Sequence, residues 1–179
     1  MSKALISFES SIKDAEDLLA HFDAVKKSPP PENAEVLKLA GLIMALTAWE
    51  TYVEDRVREE METRLRIVHG SYLGDFVLRR LEDELKRFHN PNSEKTKKLF
   101  QDFLGIDVTA SWEWQHFDLV KAKKALDELI NKRGDAVHRS KAAQVGMPAP
   151  HLVKRDELEK SIRFLKDLTR ATDKALLQD

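Results

Sequence analysis

Cysteine is absent from this 179-residue chain. That excludes a disulfide framework, a thiolate zinc site and a cysteine nucleophile together. Glycine and proline are scarce, six of each, which argues against a turn-rich β sandwich. Net charge is nearly missing as well. Thirty Lys and Arg against 31 Asp and Glu leave a formal charge of -1, which excludes a wholesale polyanion binder but not a local basic patch. Long hydrophobic runs are lacking too. The most apolar stretch, 39–49, is about 11 residues long, where a bilayer span needs about 20. Residues 1–11 carry Lys3 and Glu9 and have no apolar run ending in a small-residue cleavage site, so they do not read as a signal peptide. The expectation is a cytoplasmic protein with no membrane segment.

What remains is a chain that is 42% hydrophobic and 34% charged, rich in Leu, Ala, Lys and Glu. At this length one domain buries about 70% of its unfolded surface, enough for a packed core. Leu5, Phe8, Ile12, Ala15, Leu19, Phe22 and Val25 recur at three- and four-residue intervals and predict a first helix over 2–27. The prolines at 29–31 stop it. A second helix over 32–68 makes a rod of about 50 Å, with Gly70 and Gly74 marking its end. A third covers 73–88. Ser93 is the expected N-cap of a short fourth helix that stops before Gly105. Residues 106–116 read as a loop, and 117–140 as the fifth helix. A second loop spans 144–151, and a helix opened by Asp156 and Glu159 runs to 177. There is no repeat and no strand pattern. The fold class is all-α: a single-domain antiparallel bundle of five to six helices over 1–179.

Two features carry possible chemistry. Glu50 falls into the apolar stripe of the second helix, between Leu46 and Val53. A lone buried carboxylate costs several kcal/mol, so Glu50 must be paired or lie at a cleft or interface; otherwise the stripe drifts and Glu50 edges into solvent. On the fifth helix Leu126, Ile130 and Val137 define an apolar seam. Arg133 lies roughly 60° to one side of Ile130 and His138 roughly 80° to the other, with Gly134 between them. Lys132, Arg139 and Lys141 add positive charge there, offset by Asp135. Arginine grips phosphate through a planar fork of donors, and histidine moves protons near neutral pH. These are sufficient parts for cutting RNA without metal. Histidine takes the ribose 2′-OH proton and arginine stabilises the charged phosphoryl oxygens. One such set supplies one imidazole, and a symmetric dimer would supply a second.

Arg-x4-His alone is a weak signal, since Arg64 and His69 repeat it at the end of the second helix. A cation-rich helix C-terminus would equally explain Arg133 and His138. Trp112, Trp114, His116 and Phe117 read as a plug at the bundle's end, with base stacking as the alternative. Lys95, Lys97 and Lys98 fit either a solvated face or a phosphate track. His21, His89 and His151 have no ligand spacing, and no glycine-rich phosphate loop occurs, so neither metal nor cofactor is expected.

Beyond Arg133-Gly-Asp-Ala-Val-His138, the stretches Ala45-Leu-Thr-Ala-Trp49-Glu50-Thr-Tyr52, Leu99-Phe-Gln-Asp-Phe-Leu-Gly105-Ile106 and Leu126-Asp-Glu-Leu-Ile-Asn-Lys-Arg133 follow in order. The ensemble, covering about 32–177, resembles the HEPN superfamily and most closely its RiboL-PSP-HEPN branch. The resemblance implies a homodimer whose two Arg/His motifs share one cleft. It also implies metal-independent endoribonuclease activity in a toxin–antitoxin or antiviral-defence setting, with a neutralising antitoxin or defence-system partner. Arg133 and His138 would be catalytic. Glu50 and Asp135 would be accessory, and Lys132, Arg139 and Lys141 would contact RNA. Many members follow the arginine with Asn, Asp or His, whereas this chain has Gly134. The alternative implied is a non-catalytic HEPN module that binds RNA or a partner.

Overall fold

The computed structural model describes residues 1–25, 30–139 and 153–177, with the side chains of 32 and 136–139 left aside. Among the described residues there are six α-helices and no strand: α1 (Lys3–Asp23), α2 (Glu32–Arg64), α3 (Tyr72–Leu85), α4 (Ser93–Leu104), α5 (Leu119–Arg139) and α6 (Arg155–Ala175). The all-α expectation and the helix number agree with this.

The apolar spacing of α1 becomes one buried face, from Ala4 and Leu5 through Phe8, Ile12, Ala15 and Leu19 to Phe22. Ser2 caps it by accepting the Leu5 N–H at 3.0 Å. Glu59 of α2 takes the Lys3 and Ala4 amides at 3.0 and 3.1 Å, a carboxylate at a positive helix end. At the other end of α1, the Lys38 ammonium sits 4.7 Å from the centre of the Phe22 ring. α1 and α2 are therefore antiparallel. α6 runs alongside α2 in the same direction: Leu158 packs at Gly41, and Asp173 bonds Arg56 at 3.1 Å. A Cβ on Gly41 would lie 2.9 Å from Leu158 Cδ2 and 3.6 Å from the Ala15 carbonyl oxygen. The glycine is what lets α1, α2 and α6 meet this closely.

α2, at 33 residues, is the axis of the fold. An 18-residue window of it reaches a mean hydropathy of 1.3, long and apolar enough to pass for a membrane span, and half of that window is buried against neighbours. Packing of α1, α4, α5 and α6 around α2 accounts for this, as in a core helix. Trp49 and Trp112 meet edge to face, with centroids 6.2 Å apart, and both are fully buried. Each removes on the order of 200 Å² from water, about 5 kcal/mol of transfer free energy. The Trp112 indole donates to Thr172 at 2.9 Å, while Trp114 stacks on Phe117 and leans on Phe164. Trp112, Trp114 and Phe117 pack as expected, whereas His116 is exposed.

Several boundaries move. α2 ends at Arg64, and a 3-10 turn, Arg66–Val68, follows. Gly74 is the third residue of α3, well past the end of α2 that it is expected to mark. Asn92 caps α4, accepting the Lys95 N–H at 2.9 Å. Ser93 is instead the first helical residue, and its amide and hydroxyl bind Asp127 of α5 at 2.8 and 2.9 Å. Residues 108–111 of the expected loop form another 3-10 turn. α6 begins at Arg155, and its back-bond comes from Glu157, which accepts the Lys154 N–H at 3.1 Å. Glu159 pairs with Arg155 instead.

Candidate functional site

α2 presents Glu50 between Leu46 and Val53, both fully buried. A carboxylate in that register needs a countercharge, and α5 delivers one. Arg133 Nη1 donates to Glu50 Oε2 at 2.9 Å, with side-chain exposures of 22% and 16%. The two residues are 83 positions apart. They meet because the seam below Arg133, with Ala122, Leu126 and Ile130 buried, seats α5 against α2. Of the alternatives open for Glu50, a partner, a cleft or interface, or drift into solvent, the structure shows a partner, the arginine singled out on α5. The bond uses one of the five guanidinium N–H groups, leaving donors for an anion.

The other Glu50 oxygen faces an imidazole. His89 Nδ1 lies 3.5 Å from Glu50 Oε1, and the ring is 71% exposed. Its position is fixed by its neighbours. The indole of Trp49, next to Glu50, donates to the Pro91 carbonyl at 3.0 Å, and Lys95 donates to the His89 carbonyl at 2.7 Å. One turn along α2, the carboxyl of half-buried Glu54 is raised above its ordinary range, first by burial and then by Glu50. Arg58 beyond it is committed to Glu82 at 2.8 Å and Asp55 at 2.9 Å. The result is a half-buried guanidinium–carboxylate pair with an exposed imidazole at its mouth.

The other sequence candidates are placed less centrally. Lys132 turns to α6 and pairs with Glu157 at 2.5 Å, which lowers the Glu157 carboxyl. Asp135 is exposed on α5. A Cβ on Gly134 would find no described heavy atom within 4 Å, so that surface of α5 is open. The backbone of His138 and Arg139 belongs to the last turn of α5, but their side chains, with that of Val137, lie outside the described residues, as do Lys141 and His151 entirely. The rival Arg64 is consumed structurally: it donates to the Leu104 carbonyl at 2.9 Å and to Glu60 at 3.2 Å. Lys97 is paired with Asp107 at 2.6 Å. Among the described residues, no three His, Asp or Glu side chains cluster in a way that would hold a metal ion.

Sequence reasoning missed His89. Its spacing to Glu50 and Arg133 follows no periodicity, since it sits on the turn after α3. The one signal was its place just before the Asn90-Pro91 turn, next to the cap of α4.

The family model described as RiboL-PSP-HEPN matches residues 9–178. No curated protein and no solved structure matches the chain.

Proposed function

Since the chain belongs to the RiboL-PSP-HEPN family, which supports an RNase or RNA-binding module, we propose that it is a metal-independent endoribonuclease. In this reading it acts as a homodimer in the cytoplasm, as a toxin or defence effector held in check by a neutralising partner. The observation that carries the reading is the Glu50–Arg133 pair. The arginine of the Arg-x4-His motif is half-buried and held at 2.9 Å by a carboxylate from a different helix, oriented rather than loose on the surface.

His138, five residues beyond Arg133, takes the proton from a ribose 2′-OH. The 2′-oxygen attacks the adjacent phosphorus, and the P–O5′ bond breaks with its electron pair on O5′. Arg133 stabilises the charge on the non-bridging oxygens through donors not used by Glu50. The departing O5′ needs a proton, and pairing two protomers brings a second Arg/His set to the cleft. The products are a 2′,3′-cyclic phosphate and a 5′-OH.

The expected outcome is RNA cleavage in EDTA with those end groups, falling at least about 100-fold in His138→Ala. Activity that survives His138→Ala overturns the assignment. Gly134 favours a second reading, a binding module without turnover, because α5 offers no polar side chain directly after Arg133. Saturable RNA binding by wild type without cleavage would select it.

A further inference from the structure

One proton in that reaction has no assigned donor in the chain itself. The leaving O5′ must be protonated, and the motif on α5 supplies a single imidazole. We propose that His89 is the general acid of this cleft, donating its proton to the 5′-oxygen as the P–O5′ bond breaks. The inference rests on the nuclease reading above.

The argument is geometric. Glu50 is a bridge: one oxygen holds Arg133 at 2.9 Å and the other faces His89 Nδ1 at 3.5 Å. A phosphate gripped by Arg133 thus lies next to the imidazole on the far side of the same carboxylate. At 71% exposed, His89 is open to substrate, whereas Glu50 behind it is largely enclosed. The carboxylate facing Nδ1 orients the ring and leaves Nε2 on its outward side, toward the substrate. The turn is pinned from three sides: Trp49 on the Pro91 carbonyl, Lys95 on the His89 carbonyl, and Asp127 on Ser93.

The groups around His89 are Glu50 and Glu54 of α2, Lys95 of α4 through the His89 carbonyl, and Arg133 of α5 through Glu50. Two carboxylates thus lie on one side of the ring, and the guanidinium beyond Glu50 is the group it would share with the substrate. The protons balance: His138 gains one from the 2′-OH, His89 gives one to O5′, and solvent resets both.

A chemical substitution separates acid catalysis from structural support. In a dinucleotide with sulfur at the bridging 5′ position, the leaving thiolate needs no proton. His89→Gln should cut the all-oxygen substrate about 100-fold or more slowly and the sulfur-bridged one within about threefold of wild type. His138→Ala should stay impaired on both, since the nucleophile is unchanged. Equal loss on both substrates, or no loss on either, overturns the assignment while leaving the nuclease reading intact. A wild type that cleaves neither substrate overturns both. His89→Gln should keep the wild-type melting temperature, because the ring is exposed.

Discussion

Glu50 shows what a single residue can announce. Its place in an apolar stripe raised the question of a countercharge, and Arg133 supplies one. Glu54, one turn on, pays no such compliment: its carboxyl is raised by burial and by Glu50, so its charged form is disfavoured in the folded state. Because the folded value lies above the ordinary 4.5, the native chain binds more protons than the unfolded one between the two values. Stability therefore falls as pH rises from about 4.5 through the raised value, and stays lower above it. Glu54→Gln should raise the melting temperature at pH 7 by about 1–2 °C, the small figure expected of a half-exposed group. The gain should vanish below pH 4.5. A Glu54→Gln gain that persists in acid, or none at pH 7, would count against this account.

At the scale of elements, the helices are set by their apolar spacing and their ends by local chemistry. The clearest end is that of α4. Gly105, at φ 75°, closes it with its N–H on the Gln101 carbonyl at 3.0 Å. Its left-handed conformation costs a side chain roughly 1–2 kcal/mol, and no described atom lies within 4 Å of a Cβ there. Gly105→Ala should thus lower the melting temperature by about 2–6 °C through backbone strain alone, read by thermal unfolding. The N-cap of α4 was less legible. Ser93 and Asn92 are both good caps; Asp127, 34 positions away, claims Ser93 and leaves the cap to Asn92. Such a choice lies outside local sequence.

For the whole molecule, the ends of the chain are tied through its middle. Asp173 of α6 bonds Arg56 of α2 at 3.1 Å and also takes the Ser2 hydroxyl. Removing one partner of such a buried pair costs about 3–5 kcal/mol. The candidate site lies elsewhere on α2, where it meets α5 and the turn after α3, with the Gly134 surface open on α5. A shared-cleft mechanism requires that surface to be covered by a second protomer. The protein should sediment as a dimer at micromolar concentration; a monomer with full activity would refute the shared cleft and leave His89, beside Glu50, to supply the second imidazole.

By itself the sequence determined the all-α class, the helices that could bury a continuous apolar face, and the Arg133–His138 spacing, because these depend on periodicity and on neighbours in the chain. It also marked Glu50 as a carboxylate in an apolar stripe, to be paired, placed at a cleft or interface, or turned to solvent. Only the tertiary structure decided that the partner is Arg133, that Arg64 is spent on the Leu104 carbonyl, that Lys132 turns to α6, and that His89 stands beside Glu50. Each of those contacts joins residues 25 or more positions apart. Which distant groups meet is set by how helices seat on one another, and no local pattern carries that information.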